Sequence, residues 1–363
     1  RPAGQAAPVG AGHPRPALTR RALAGPRQGL ADRCRGLAPA CFAPVMATGI
    51  VSRALTQTGV RALSLVLFGV AAALYAVLLC ATVLKARYHP SVIRAELGDP
   101  TRVFGHFTLV AASSVLAARL GSGPGRVVGC VLFVVAAVVW AVLARAVVRL
   151  RGFGSRTALR QADGTWFLTT VGLQALVLTL VGLRPGRPVV TLALTLWVCG
   201  VLLYAATLAA VVRRLRSDPP APELLAPSYW VTMGAAAIST LAGARLLAHD
   251  GLLPAPVRAP LGGTVVGLWA WATFLIPLLL ATGVWRHLRH RVPLAYEPTL
   301  WCVVFPLGMY ATATAQLATY RLGETVLRTK PIIGYLHTGM EKTGEDLTYL
   351  QGPTNTTRMD YAA

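Results

Sequence analysis

Nine stretches of the chain are almost wholly apolar. They run approximately over 38–57, 62–84, 103–119, 126–148, 165–183, 188–212, 229–248, 261–284 and 299–320. A helix needs about 20 apolar residues to cross the hydrocarbon core of a bilayer, and each of these runs meets or approaches that length. The second, ALSLVLFGVAAALYAVLLCATVL, is the cleanest. The third is short and carries His106 and Arg119. Short segments rich in Arg, Pro and Gly separate the runs. This pattern predicts an all-α integral membrane protein with nine transmembrane helices. No further run of spanning length follows the ninth, so 323–363 reads as a short non-membrane tail. Residues 1–35, rich in Pro, Gly, Ala and Arg, read as a disordered basic arm.

Composition supports the membrane reading. Hydrophobic residues make up 55% of the 363 and charged residues 13%, against about 25% charged in soluble domains. The mean hydropathy is +0.57. The net charge of +22 raises the question of nucleic acid. However, the arginines alternate with apolar runs and gather on no polar face, so no nucleic-acid partner is expected. Topology accounts for them instead. Counted together with the basic residues at the adjoining run ends, segments after even-numbered runs hold 15 basic residues and those after odd-numbered runs 8. By the positive-inside rule this puts the amino terminus and the longer loops in the cytoplasm. All 13 acidic residues lie outside the runs, which argues against a proton or cation path built on membrane carboxylates and leaves anions and neutral solutes. No cofactor or metal site is expected. The six cysteines show no CxxC spacing, and His287 and His290 have no Cys or acidic neighbour.

Six stretches carry a family resemblance: FAPVMATGIVSRAL (42–55), RVFGHFTLVAASSVLAARL (102–120), GTWFLTTVGLQAL (164–176), YWVTMGAAAISTLAGARLL (229–247), LWAWATFLIPLLLATGVWRH (268–287) and VVFPLGMYATATAQLA (303–318). Together, over about 36–322, they resemble the tellurite-resistance and C4-dicarboxylate transporter family, which includes the plant slow anion channels. The resemblance implies a homotrimer of ten-helix subunits in the plasma membrane. Each subunit would hold five helical hairpins around its own pore, the odd-numbered helices lining it and the even-numbered ones forming an outer ring. Small anions would be the cargo: a C4-dicarboxylate, tellurite, sulfite or an inorganic anion. The tenth helix is not evident here.

In that family a phenylalanine on the ninth helix plugs the pore, and Phe305 holds the matching position. The chemistry is reasonable. Pro306 removes a backbone donor and can open the helix wall, and an apolar ring across a narrow path excludes hydrated ions. Read without the resemblance, Phe305 is a packed aromatic and Pro306 a tolerated kink. Pro44, near Phe42, repeats the kink logic on the first helix. Phe42, Pro44, Phe107 and Phe167 are pore-lining candidates, with core packing the alternative for the rings. His106 could donate to a passing anion or be a satisfied buried histidine. Arg53, Arg119 and Arg245 lie near helix ends opposite the amino terminus, where they could recruit anions or snorkel to headgroups. Ala47, Gly49, Ala111, Ala112, Gly234 and Ala235 suit close helix approach.

The tail has a different ancestry. Its sequence GETVLRTKPIIGYLHTGMEKTGEDLTYLQGPTNTTRMDY (323–361) resembles the D subunit of the NADH–quinone oxidoreductase, in which the tyrosine matching Tyr361 lines the quinone site. Nine spans beginning inside would leave this tail on the opposite face. The chain therefore reads as a fusion or a truncated product, with an inactive enzyme fragment at its end. The alternative function, carried by the tail alone, is quinone or NAD binding in respiratory electron transport.

Overall fold

The computed structural model describes residues 32–121, 123–150, 160–183, 186–217, 225, 227–293 and 298–320. Most of the expected basic arm and all of the tail, Tyr361 included, lie outside these residues. Every long element among those described is a helix, and no strand occurs there. The nine apolar runs become α1 (Ala43–Gln57), α2 (Arg61–Tyr88), α3 (Phe107–Leu120), α4 (Arg126–Arg149), α5 (Leu168–Leu183), α6 (Arg187–Ser217), α7 (Trp230–Leu247), α8 (Ala255–Val284) and α9 (301–320). Single 3-10 turns lead into α3, α5 and α7. A π-helical turn, Trp285–Arg289, ends α8.

The helices pair as antiparallel hairpins, α1 with α2, α3 with α4, α5 with α6 and α7 with α8. All odd-numbered helices therefore run the same way. We call the face where they begin proximal and the face where they end distal.

Burial separates the two sets. With their leading turns, α3, α5 and α7 bury 67%, 78% and 89% of their most apolar stretch, whereas α2, α4, α6 and α8 bury 17%, 17%, 28% and 22%. Odd helices form an inner ring and even helices wrap it. Composition explains the sorting. The outer helices are the more hydrophobic and present Val66, Val77, Val131, Val142 and Leu202 outward, as a lipid-facing surface requires. The inner ones carry Gly, Ser, Thr and Ala, which let backbones approach closely. The ring runs from α1 to α3, α5 and α7. It closes through α9, where a methyl at Gly234 of α7 would meet Pro306 Cγ at 2.8 Å and one at Gly308 would meet Ile50 Cγ2 of α1 at 2.8 Å.

Two local features depart from the sequence expectation. The first helix starts at Ala43 rather than near 38, and Pro44 stands in its first turn. There a missing N–H costs nothing and the fixed φ favours initiation, so Pro44 begins the helix instead of kinking it. The segment between α2 and α3 also forms a short helix, Pro90–Leu97, anchored by a buried ion pair. Lys85 Nζ donates to both carboxylate oxygens of Glu96 (2.8 and 2.9 Å) and to the Leu37 carbonyl at 2.7 Å. Both side chains are about 97% or more enclosed. Glu96 lies outside the apolar runs in sequence but inside the protein in space.

Candidate functional site

A cavity of about 180 Å³ opens among the distal halves of α1, α3, α5 and α7 and the middle of α9. Arg53 of α1, Ser114 of α3, Leu178 of α5, Arg245 of α7 and Met309 of α9 each line it, and His249, just past α7, joins them. A chamber reached by one face of every odd helix and by no even helix lies on the bundle axis.

The floor of the cavity is set by α9. At about 100° per residue, Pro306 and Gly308 fall on opposite flanks of this helix, the first against α7 and the second against α1. The arc between these contacts holds Cys302, Phe305, Met309 and Ala313, all buried, while the opposite arc holds Val304 and Leu307, both exposed. Phe305 therefore points into the ring, one turn below Met309 on the proximal side. It is 1% exposed and belongs to a core cluster with Met46, Val110, Val171 and Ile238. That level closes the axis with apolar side chains.

The other aromatic candidates sit differently. Phe42 packs on Tyr75 of α2 with ring centroids 5.7 Å apart. Phe167 packs on Tyr204 of α6 at 5.4 Å. Phe107 shares Gly172 with Trp140 of α4. Phe42 and Phe167 thus meet an aromatic of an outer helix, and none of the three rings lines the cavity. Pro44, at the proximal start of α1, is also absent from the cavity wall. His106 Nε2 stands 3.5 Å from Glu96 Oε2, on the proximal side and away from the cavity.

The three distal arginines divide into two kinds. Arg119 is a structural tie. It donates from Nη1 to Thr56 Oγ1 at 2.7 Å and from Nη2 to Ser64 Oγ at 2.9 Å, and it lies 5.9 Å over the Phe68 ring. It therefore laces α1, α2 and α3 together. Arg53 and Arg245 line the cavity, and neither guanidinium has a hydrogen bond or ion pair among the described residues. His249 Nδ1 contacts the Arg245 carbonyl at 2.9 Å. A carbonyl only accepts, so Nδ1 carries the proton and Nε2 is the other ring nitrogen.

Ser114 is the residue that sequence reasoning passed over. Its neighbour Ser113 bonds outward to Tyr75 Oη at 2.8 Å and to the Leu109 carbonyl. Ser114 is 1% exposed, and its Oγ has no partner among the described residues. Adjacent helical residues point about 100° apart, so the pair sends one hydroxyl to the outer ring and one to the axis. Helical phase on a ring whose centre was known would have found it.

An all-helical bundle with an apolar exterior, an inner ring of parallel helices and an axial chamber defines a membrane channel or transporter. Similarity to known proteins specifies which. The profile of the voltage-dependent anion channel (SLAC1) family matches residues 36–340, and the chain belongs to that family. An uncharacterized membrane protein of Mycobacterium tuberculosis is 47% identical over 125 residues, 33% of this chain and 59% of that protein. The chain thus spans a little over half the length of this relative. An uncharacterized transporter of Methanocaldococcus jannaschii is 25% identical over 118 residues, 32% of this chain and 33% of its own. The second resemblance is found as well. The D subunit of the NADH-quinone oxidoreductase of Thermus thermophilus is 67% identical over 39 residues, 11% of this chain and 10% of that protein.

Proposed function

We propose that the chain moves small anions across a membrane along the axis of the inner ring, with Phe305 as the plug. One observation carries this reading. The buried arc of α9, fixed by contacts on both flanks, aims Phe305 at the axis directly beneath a chamber lined by two arginines. A benzyl group in a narrow apolar neck raises the barrier for any hydrated ion, because water must leave before the ion passes. Turning the ring aside would open the path. Pro306 assists, since without its N–H the carbonyl one turn earlier, at Cys302, loses its helical donor and the wall there deforms more easily.

The membership in an anion channel family supports the sign of the cargo. The family resemblance also supports a plasma-membrane location, a homotrimeric assembly and a cytoplasmic proximal face, the face that bears the greater arginine excess. Dicarboxylate, tellurite, sulfite and other inorganic anions are the cargo classes that this reading brings to test.

Reconstitution into proteoliposomes checks the plug. Phe305→Ala is expected to raise anion flux by about tenfold or more, since ~1.4 kcal/mol off a barrier is a factor of ten. Phe305→Leu is expected to fall between. Unchanged flux in a folded Phe305→Ala protein would place the barrier elsewhere.

A further inference from the structure

We infer that the distal cavity is an oxyanion-binding site in its own right, in which Arg53 and Arg245 hold a doubly charged oxyanion and Ser114 donates to it before it meets the plug. The inference rests on reading the cavity as the mouth of an anion conduit, and it adds the ligand's chemistry and the residues that recognise it.

Three observations converge. Two guanidiniums on different helices, α1 and α7, line one cavity, and each lacks a counter-charge among the described residues. The charges that act on Arg53 are those of Arg245 and Arg119, both positive. Unpaired cations set this close repel each other and persist only where an anion or water compensates them. Ser114 then adds a buried hydroxyl with no partner among the described residues, on the wall of the same cavity. A buried hydroxyl left unpaired is costly, so its position calls for an acceptor inside the chamber.

The donor set selects the ligand. Guanidinium presents parallel N–H groups at a spacing that matches two oxygens of one acid group. A halide offers a single centre and uses half of that fork. Two guanidiniums ask for two negative charges, carried by a tetrahedral oxyanion or by the two ends of a short dicarboxylate. Size permits both, because the cavity of about 180 Å³ exceeds the ~150 Å³ engineered cavity that accepts benzene. Binding here must stay weak enough for release toward the plug, since a site that holds its ion too well stops conduction.

The test is calorimetric titration of the full chain in lipid nanodiscs, in a gluconate background of constant ionic strength. The probes are sulfate, succinate, nitrate and chloride. Sulfate and succinate are expected to bind about tenfold tighter than chloride, with nitrate between, as an added charge-assisted hydrogen bond implies. Sulfate against succinate tells a tetrahedral ligand from a dicarboxylate. Arg53→Gln and Arg245→Gln should each weaken dianion binding about tenfold, and Ser114→Ala about threefold. Arg53→Lys keeps the charge and loses the fork, so it should erase most of the preference over chloride while retaining binding. It also carries the test if a glutamine variant does not fold. Arg119→Gln should leave the anion ranking unchanged. Chloride binding as tightly as sulfate, or dianion affinity unmoved by both arginine variants, would overturn the site. Because binding is read without flux, a Phe305→Ala protein that binds sulfate but conducts nothing sinks the conduit and leaves the site standing. The reverse result does the opposite.

Discussion

Gly234 and Gly308 decide how near α9 comes to its neighbours. A methyl at Gly234 would lie 2.8 Å from Pro306 Cγ and 3.3 Å from its Cα. The proline ring is rigid, so the added carbon must push backbone. Gly234→Ala is expected to destabilise by ~1–3 kcal/mol through overpacking, read as a lower thermal midpoint in detergent. The same shift moves the turn that carries Phe305, so the variant should also leak anions, a consequence that a surface glycine such as Gly262, with open space around it, would not produce. At this scale the sequence was only partly legible. Phe305 was picked out by the family resemblance, and read alone it is a packed aromatic beside a tolerated kink. Phe42, Phe107 and Phe167 were pore-lining candidates with core packing as the alternative, and what packs on Phe42 and Phe167 is an aromatic on a helix tens of residues away, Tyr75 or Tyr204. Nothing local encodes that partner.

Helices were the most legible elements, since each apolar run became one and most boundaries fell within a few residues. The exceptions have physical causes. Apolarity carried the first run back to residue 38, but Pro44 prefers a first turn and fixed the start at Ala43. The helix Pro90–Leu97 is too polar to be seen as a span, and it is held by the Lys85–Glu96 pair rather than by apolar burial. Glu96→Ala should therefore cost ~3–5 kcal/mol, the penalty for leaving a buried lysine unpaired, and Lys85→Met with Glu96→Leu should recover much of it. Thermal unfolding in detergent reads both. Asp163 offers a pH test at the head of the turn that leads into α5. Its Oδ1 accepts the Thr165 N–H at 2.9 Å, capping that turn. Burial pushes its carboxyl above the ordinary range, against the lowering effect of its bonds to Thr165. A carboxyl raised on folding stabilises the fold at acid pH and loses that contribution as pH climbs through its folded value. Asparagine caps equally well without the charge. Asp163→Asn is thus expected to raise the thermal midpoint near neutral pH and to leave it unchanged in acid, and the opposite pH order would refute the burial account.

For the whole molecule, the inner ring poses an electrostatic problem that its arginines answer. Five parallel helices end at the distal face, and each C-terminus carries about half a negative charge. Left alone, that face would repel anions from the cavity. Arg119 and Arg245 stand in the last turns of α3 and α7, and Arg53 lies one turn before the end of α1. They reverse the sign, and the two that line the cavity place the reversal on the axis. The outer ring meets a different demand, since its surface must be solvated by hydrocarbon. Cys80 of α2 and Cys199 of α6 test this directly, because both are exposed on the mid-lengths of outer helices. A charged reagent does not enter the hydrocarbon of a bilayer, so a thiol that faces lipid is out of its reach. In proteoliposomes both cysteines should therefore resist a charged, membrane-impermeant thiol reagent, and then react once the protein is unfolded in dodecyl sulfate. Mass spectrometry of the labelled peptides reads the outcome. Rapid labelling of Cys199 in the intact vesicle would put α6 in water and would break the two-ring arrangement on which the axial chamber depends.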